Sequence, residues 1–286
     1  MTLTLPTTTD QRRWIIRYTR VEQWPLPARY PVSPATRDAV MADIVGVSPA
    51  AAHELAAGFE VARDGLAAQL LGDPSALARL EALGRREDMR LVALGDSVTV
   101  DRLSWFDILA AAVQEVHGDG GPVMQNLALS GATTADLLER FDLVQAARPT
   151  HVLVMAGTND ARRHGNRAPH QMVSVDETRR NLAAIRSLCS TELGAWTRLL
   201  TPTGIDENRV DAAFADQPVG WRATDIDDIA AAVRALDAQA IDIHSGLPVH
   251  TRPELLEADG IHPSATGQLE IARMVLGHLV EDPPAR

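Results

Sequence analysis

The chain has 286 residues, 45% of them hydrophobic and 23% charged, with a formal net charge of -11 at pH 7. These figures fit an ordinary globular chain of one large domain, or one domain with an appendage, and exclude a disordered or fibrous protein. The excess of acid excludes a nucleic-acid binder, which needs clustered Lys and Arg, and the lone Cys189 excludes an intrachain disulfide and a cysteine-built zinc site.

The first residues, MTLTLPTTTDQRRW, lack the basic start and apolar core of a secretory signal, and no apolar run is long enough to cross a bilayer. A cytoplasmic protein with no membrane span is therefore expected. Next comes RRWIIRYTRV, where Trp14, Ile16 and Tyr18 alternate with Ile15 and Arg17, predicting a strand or extended arm. After the proline-rich PLPARYPVSP, three helices are predicted. Ser33-Pro34, Ser48-Pro49 and Asp73-Pro74 supply their starts, and Gly46, Gly72 and Gly84 their stops. Residues 1–88 thus read as a mainly helical extension without visible chemistry. Trp14, Tyr18 and Trp24 are expected to pack it onto the rest of the chain; a lid over a pocket or a homodimer contact are the alternatives.

From residue 89 to 286 short apolar runs alternate with amphipathic stretches. MRLVAL, PVMQNLAL, HVLVMA, WTRLLT and AIDI are the strand candidates. Helices are predicted at about 103–116, 134–146, 175–190, 224–236 and 264–280. Such alternation specifies an α/β fold with a five-stranded parallel sheet covered on both faces by helices, three layers in all. Ligands of open sheets bind outside the carboxyl ends of the strands.

Chemistry-bearing residues fall at those ends. Gly95-Asp96-Ser97 follows the first strand, where a serine hydroxyl stands at the sheet edge beside helical N–H groups; alone, a simple helix cap accounts for Ser97 more readily than a nucleophile does. Ser130-Gly131 follows the second strand, and Gly131 offers either an unblocked N–H donor or merely a turn conformation. Asn159, in GTND after the third strand, offers a side-chain amide to a developing oxyanion, although Asn also forms turns. Asp259 stands three residues before His262 in EADGIHP, where it can hold the imidazole Nδ1–H and aim Nε2 at a serine. An Asp near a His in a loop is also a common structural pairing.

The four segments occur together and in order. In that combination they resemble the SGNH hydrolase family, also called GDSL esterases and lipases, through Ser97 in GDS, Gly131 in SGAT, Asn159 in GTND and His262 in DGIHP. Trp105 and the glycine of SATGQLEIARMV are also similar to the family, and the resemblance covers about residues 89–281. It implies a flavodoxin-like fold, a Ser97-Asp259-His262 triad, hydrolysis through an acyl-enzyme, and an oxyanion hole made by the Ser97 and Gly131 N–H groups and the Asn159 side chain. Two departures stand out: Val100-Asp101 where many relatives carry a glycine, and the extension itself.

The expected substrate is a small-molecule ester, a small acyl or acetyl ester of a metabolite, sugar or lipid, and no cofactor is expected. Acyl transfer to an alcohol acceptor would use identical motifs, and a non-catalytic binding module on the same fold is the third reading. Arg163 and His164, in the basic run after GTND, are weaker candidates for docking an anionic substrate group, against a plain solvated loop. His164 and His170 lack the i, i+4 spacing of a zinc helix, so no metal is expected. Asp225, Asp227 and Asp228 read as the acidic start of a helix. Cys189 reads as a small buried hydrophobe.

Overall fold

The computed structural model describes residues 6–84, 88–165 and 169–279. Contrary to the predicted strand, RRWIIRYTRV lies in helix α1 (Thr9–Tyr18) and the turn after it. Thr8 Oγ1 accepts the Gln11 N–H at 3.1 Å and Gln11 Oε1 accepts the Thr8 N–H at 3.2 Å, a reciprocal cap that satisfies two orphan donors. Trp14 and Tyr18, four residues apart, then share one helix face with ring centroids 4.6 Å apart.

A short α2 (Pro25–Arg29) leads to the three expected helices, α3 (Pro34–Val45), α4 (Pro49–Leu71) and α5 (Pro74–Leu83). Each has proline in its first turn and a Ser33, Ser48 or Asp73 side chain accepting a backbone N–H as its cap. There follow β1 (Arg90–Gly95), α6 (Ser97–Val100), α7 (Trp105–His117), β2 (Val123–Asn126), α8 (Thr134–Glu139), α9 (Phe141–Ala147) and β3 (His151–Met155). The second half comprises β4 (Arg163–His164), β5 (His170–Gln171), α10 (Val175–Ser187), β6 (Trp196–Leu200), α11 (Glu207–Ala213), β7 (Val219–Gly220), α12 (Ala223–Leu236), α13 (Ile243–Gly246) and α14 (Ala265–Leu279). The last helix was expected to reach position 280, which lies outside the described residues.

The main sheet runs β2-β1-β3-β6, all parallel, with Leu91 opposite Met124 on one side and His151 on the other. A small antiparallel ribbon, β5-β4-β7, lies apart from it. The sheet has four strands rather than the expected five. AIDI contributes a single parallel bridge, Leu200 to Ile241, carried by Ile241 N–H to Leu199 O at 2.9 Å and Thr201 N–H to Ile241 O at 3.1 Å. The intervening residues are taken up at both ends: Asp237 closes α12 and Ala240 N–H turns back to Asp237 O at 2.9 Å, while Asp242 already caps α13.

Strand residues alternate between two apolar faces, as helices on both sides require. Leu91, Ala93, Leu153 and Met155 pack with Trp105, Phe106, Ile271 and Val275, and the same buried cluster continues into Ile16, Leu70 and Leu80 of the extension. Val92, Leu94, Val152 and Val154 face Leu137, Leu182, Ile185 and Val233. Cys189 sits in the π-turn Leu188–Glu192 after α10, where burial pushes its thiol up to about 12. Among the described residues no helix is long and apolar enough to cross a membrane. Because β2 and β3 flank β1 on opposite sides, the sheet's switch point lies at the carboxyl ends of β1 and β3.

Candidate active site

Each of the four loops at that edge is held by its own local chemistry. β1 ends in Gly95, where a Cβ would meet Thr99 Oγ1 at 2.5 Å and the Met155 carbonyl oxygen at 2.6 Å, so only glycine lets the strand turn there. Asp96 then caps the one-turn helix α6, its Oδ1 accepting the Val98 N–H at 3.0 Å. Ser97 is thereby set at the first position of that turn, almost wholly buried. Burial pushes the Asp96 carboxyl up to about 6, against the opposing pull of the Val98 N–H and His262.

The loop carrying Asp259 and His262 is a tight turn. Gly260 has φ +74, and a Cβ there would lie 2.6 Å from the Asp206 carbonyl oxygen. Glu257 N–H donates to His262 O at 2.7 Å across the turn. Arg209 crosses from α11 to donate to the carbonyl oxygens of Leu256 and Glu257. Inside it, Asp259 Oδ1 accepts the N–H groups of Ile261 at 3.0 Å and His262 at 3.1 Å, while Oδ2 meets His262 Nδ1 at 2.5 Å. Burial by itself would raise the Asp259 carboxyl, but the imidazole and the two backbone donors outweigh it and hold it below the usual carboxylate range. His262 Nε2 reaches Ser97 Oγ at 2.8 Å. Residues 165 apart in the chain are thus within proton-transfer distance.

Gly131 and Asn159, the other residues expected around an oxyanion, both border Arg162. Gly131 stands at φ +78 in the turn after β2, with Arg162 Nη1, at 3.9 Å, the one atom among the described residues near its missing side chain. Asn159 is buried, its Oδ1 accepting from Arg162 Nη1 at 3.4 Å and its Nδ2 lacking any partner among the described residues. An unpaired buried amide donor is costly, and it is the kind of group that a developing negative charge would satisfy.

Sequence reading missed what holds these donors in place. Asp160 is wholly buried and its carboxylate accepts the Thr134 N–H at 2.9 Å, Thr134 Oγ1 at 2.5 Å and Thr178 Oγ1 at 2.9 Å. It therefore fastens the Gly131 turn and α10 to the Asn159 loop. Asn126 does the same for β2, its Nδ2 donating to Thr99 O at 2.7 Å and Asp107 Oδ1 at 3.0 Å.

The basic run is arranged differently from expectation. Arg163 forms a bidentate pair with Asp225, Nε to Oδ2 at 2.6 Å and Nη2 to Oδ1 at 2.8 Å, so a carboxylate of the protein already fills the guanidinium fork meant for a substrate anion. His164 lies in β4 with Nε2 buried and unpaired among the described residues. It is the preceding Arg162 that faces Asn159 and Gly131. Asn166 and Arg167 lie outside the described residues. Among the described residues no group of three or more His, Cys, Asp or Glu side chains is arranged to hold a metal ion.

Helix α1 closes the other side of this site. The Tyr18 and Trp14 rings lie 4.4 Å and 5.2 Å, centroid to centroid, from the His262 imidazole. Arg17 between them grips Asp101 with Nε and Nη2, each at 2.8 Å, and Glu257 with Nη1 at 2.5 Å. Burial opposes its charge, yet the Asp101 carboxylate raises the guanidinium above its ordinary value.

The model of the GDSL-like lipase/acylhydrolase family matches residues 93–269. Solved structures of the same fold include a lipase/acylhydrolase from Enterococcus faecalis, 23% identical, with a TM-score of 0.51 over 69% of this chain and 100% of its own. An acetyl xylan esterase is 19% identical, with a TM-score of 0.54 over 66% of this chain and 98% of its own. A variant acetyl xylan esterase from Geobacillus stearothermophilus is 21% identical, with a TM-score of 0.53 over 69% and 97%. At these identities the likeness is one of fold. No curated protein matches the chain significantly. Because the family model spans more than half of the residues, from the end of β1 into α14, the chain belongs to the GDSL-like lipase/acylhydrolase family of esterase-type hydrolases.

Proposed function

We propose that the chain is a serine esterase that cleaves carboxylic esters through an acyl-enzyme on Ser97. One observation carries this reading above the rest: the unbroken line of contacts from Asp259 Oδ2 to His262 Nδ1 at 2.5 Å and from His262 Nε2 to Ser97 Oγ at 2.8 Å. Asp259 keeps the proton on Nδ1, so Nε2 is free to accept the hydroxyl proton as Oγ attacks the ester carbonyl carbon. The carbonyl oxygen takes up the negative charge, with Asn159 Nδ2 and the N–H groups of Gly131 and Ser97 as its donors. When the intermediate collapses, the bond to the alcohol oxygen breaks and that oxygen takes the proton from His262. Water then repeats the cycle on the acyl-serine, releasing the acid and restoring the Ser97 hydroxyl.

The test is hydrolysis of p-nitrophenyl esters of increasing acyl length by the purified full chain. Ser97→Ala and His262→Ala should each lower kcat by on the order of 10⁴-fold or more. A Ser97→Ala protein that retains full activity refutes the reading.

A further inference from the structure

The triad's surroundings include a segment that lies before the family-matched span. Helix α1 contributes an aromatic wall next to His262. Tyr18 is buried, tilted 38° against the imidazole, and its hydroxyl has no partner among the described residues. Trp14 meets the same imidazole edge-on at 80° and stays 38% exposed, one of the few large apolar side chains left open to solvent. Buried aromatics normally serve the core, but this indole lies beside the general base and remains partly open to solvent.

That wall is held firmly. Arg17 ties α1 to Asp101, four residues after Ser97, and to Glu257, two residues before Asp259; its Nη2 also reaches the Pro263 carbonyl oxygen at 3.4 Å. From the opposite side Arg102 donates to Ile16 O at 2.8 Å, its N–H to Arg17 O at 3.1 Å, and Arg20 donates to Val100 O at 2.9 Å. The Val100-Asp101 departure from the family pattern and the extension therefore belong together: Asp101 is the carboxylate on which the helix is seated.

In ester cleavage the histidine hands its proton to the leaving oxygen, so the alcohol half must lie against Nε2 and whatever surrounds the imidazole. Resting on the serine-esterase reading, we propose that Trp14 is a specificity-determining residue. Its partly exposed indole receives the alcohol half of the ester and selects alcohols that present a flat ring face, as a pyranose sugar or an aryl group does. The acyl half lies on the far side, toward Asn159 and Gly131, and is not selected by this wall.

The experiment compares kcat/KM of the full chain on three acetate esters: ethyl acetate, phenyl acetate and an acetylated methyl pyranoside. Trp14→Leu should lower the ratio of each favoured ring ester to ethyl acetate by about tenfold, through KM, while Trp14→Phe, which keeps a ring face, should restore part of it. A fall confined to the pyranoside identifies a sugar alcohol, and one confined to phenyl acetate an aryl alcohol; a fall in both identifies ring stacking in general. If all three substrates change together, or none does, the inference is overturned and Trp14 merely packs against His262. Ser97→Ala, run in parallel, separates this outcome from failure of the esterase reading, because hydrolysis that survives that change condemns the nucleophile rather than the wall.

Discussion

Replacing Asp259 by Asn acts on the atom that decides which imidazole nitrogen carries the proton. Asp259 Oδ1 holds the Ile261 and His262 N–H groups at 3.0 and 3.1 Å, and Oδ2 faces His262 Nδ1. An amide of the same shape has one acceptor and one donor end, so its oxygen must stay on the two backbone donors and its NH₂ must face Nδ1. Nδ1 can then only accept. The single ring proton moves to Nε2, which points at Ser97 Oγ, and the base can no longer take the hydroxyl proton. Loss of a charge-assisted hydrogen bond alone, about 1.5–3 kcal/mol, would slow turnover roughly 10- to 150-fold. Trapping the wrong tautomer costs on the order of 10⁴-fold, about 5 kcal/mol. Steady-state hydrolysis of p-nitrophenyl acetate distinguishes the two, with circular dichroism and thermal unfolding confirming the fold. An Asp259→Asn protein that keeps a tenth of the parent's kcat refutes the argument.

Asn159→Ala removes the unpaired buried Nδ2 and should lower kcat by about 10²–10³-fold with little change in KM; an equal loss confined to KM would mean that the amide binds ground-state ester instead. Gly260→Ala places a methyl 2.6 Å from the Asp206 carbonyl oxygen at φ +74. The left-handed conformation alone costs about 1–2 kcal/mol, so unfolding in urea should show at least that loss, and a midpoint equal to the parent's would contradict the turn described. Asp96→Asn tests the effect of burial. With its carboxyl raised from 3.8 to about 6, the folded chain holds a proton that the unfolded chain has lost. The contribution of this group to stability is therefore full below about pH 4 and disappears as pH rises through about 6, a span of roughly 3 kcal/mol at 1.36 kcal/mol per unit. The amide can still accept the Val98 N–H, so the stability advantage of Asp96→Asn over the parent should grow between pH 4 and pH 7. A difference that is flat in pH would show that the carboxylate is solvated.

The edge shared by Ser97, Gly131 and Asn159 was legible because each follows a strand at the switch point, in GDS, SGAT and GTND after β1, β2 and β3. The helices announced by Ser-Pro and Asp-Pro starts were equally legible, since a cap and a first-turn proline act locally. The structure departs where local pattern competes with something nearby. In α1 an alternation of five residues suggested a strand, while T-x-x-Q at Thr8–Gln11 was the stronger signal and marks a helix start. AIDI has strand-like residues, but Asp242 is taken up in capping α13. Arg162 and Arg163 are adjacent and chemically identical, and only the distant Asp225 determines which of them is occupied. Asp160 is the fourth letter of GTND and reads as a turn former; its bonds to Thr134 and Thr178 depend on loops brought together only by the sheet.

The Arg17 contact bears on how this protein can be cut and how it can change. Asp101 is fully enclosed, and its partner guanidinium comes from 84 residues earlier in the chain. A carboxylate left in such a place without its counter-charge destabilises a fold by about 3–5 kcal/mol. A truncated protein limited to the family-matched span would strand that charge four residues from Ser97, so its inactivity would say nothing about the chemistry. In descendants of this chain, position 17 and position 101 are bound to drift as a pair, because losing either alone is penalised, while the Arg102 and Arg20 bonds and the buried Ile16 still hold the helix if both are lost.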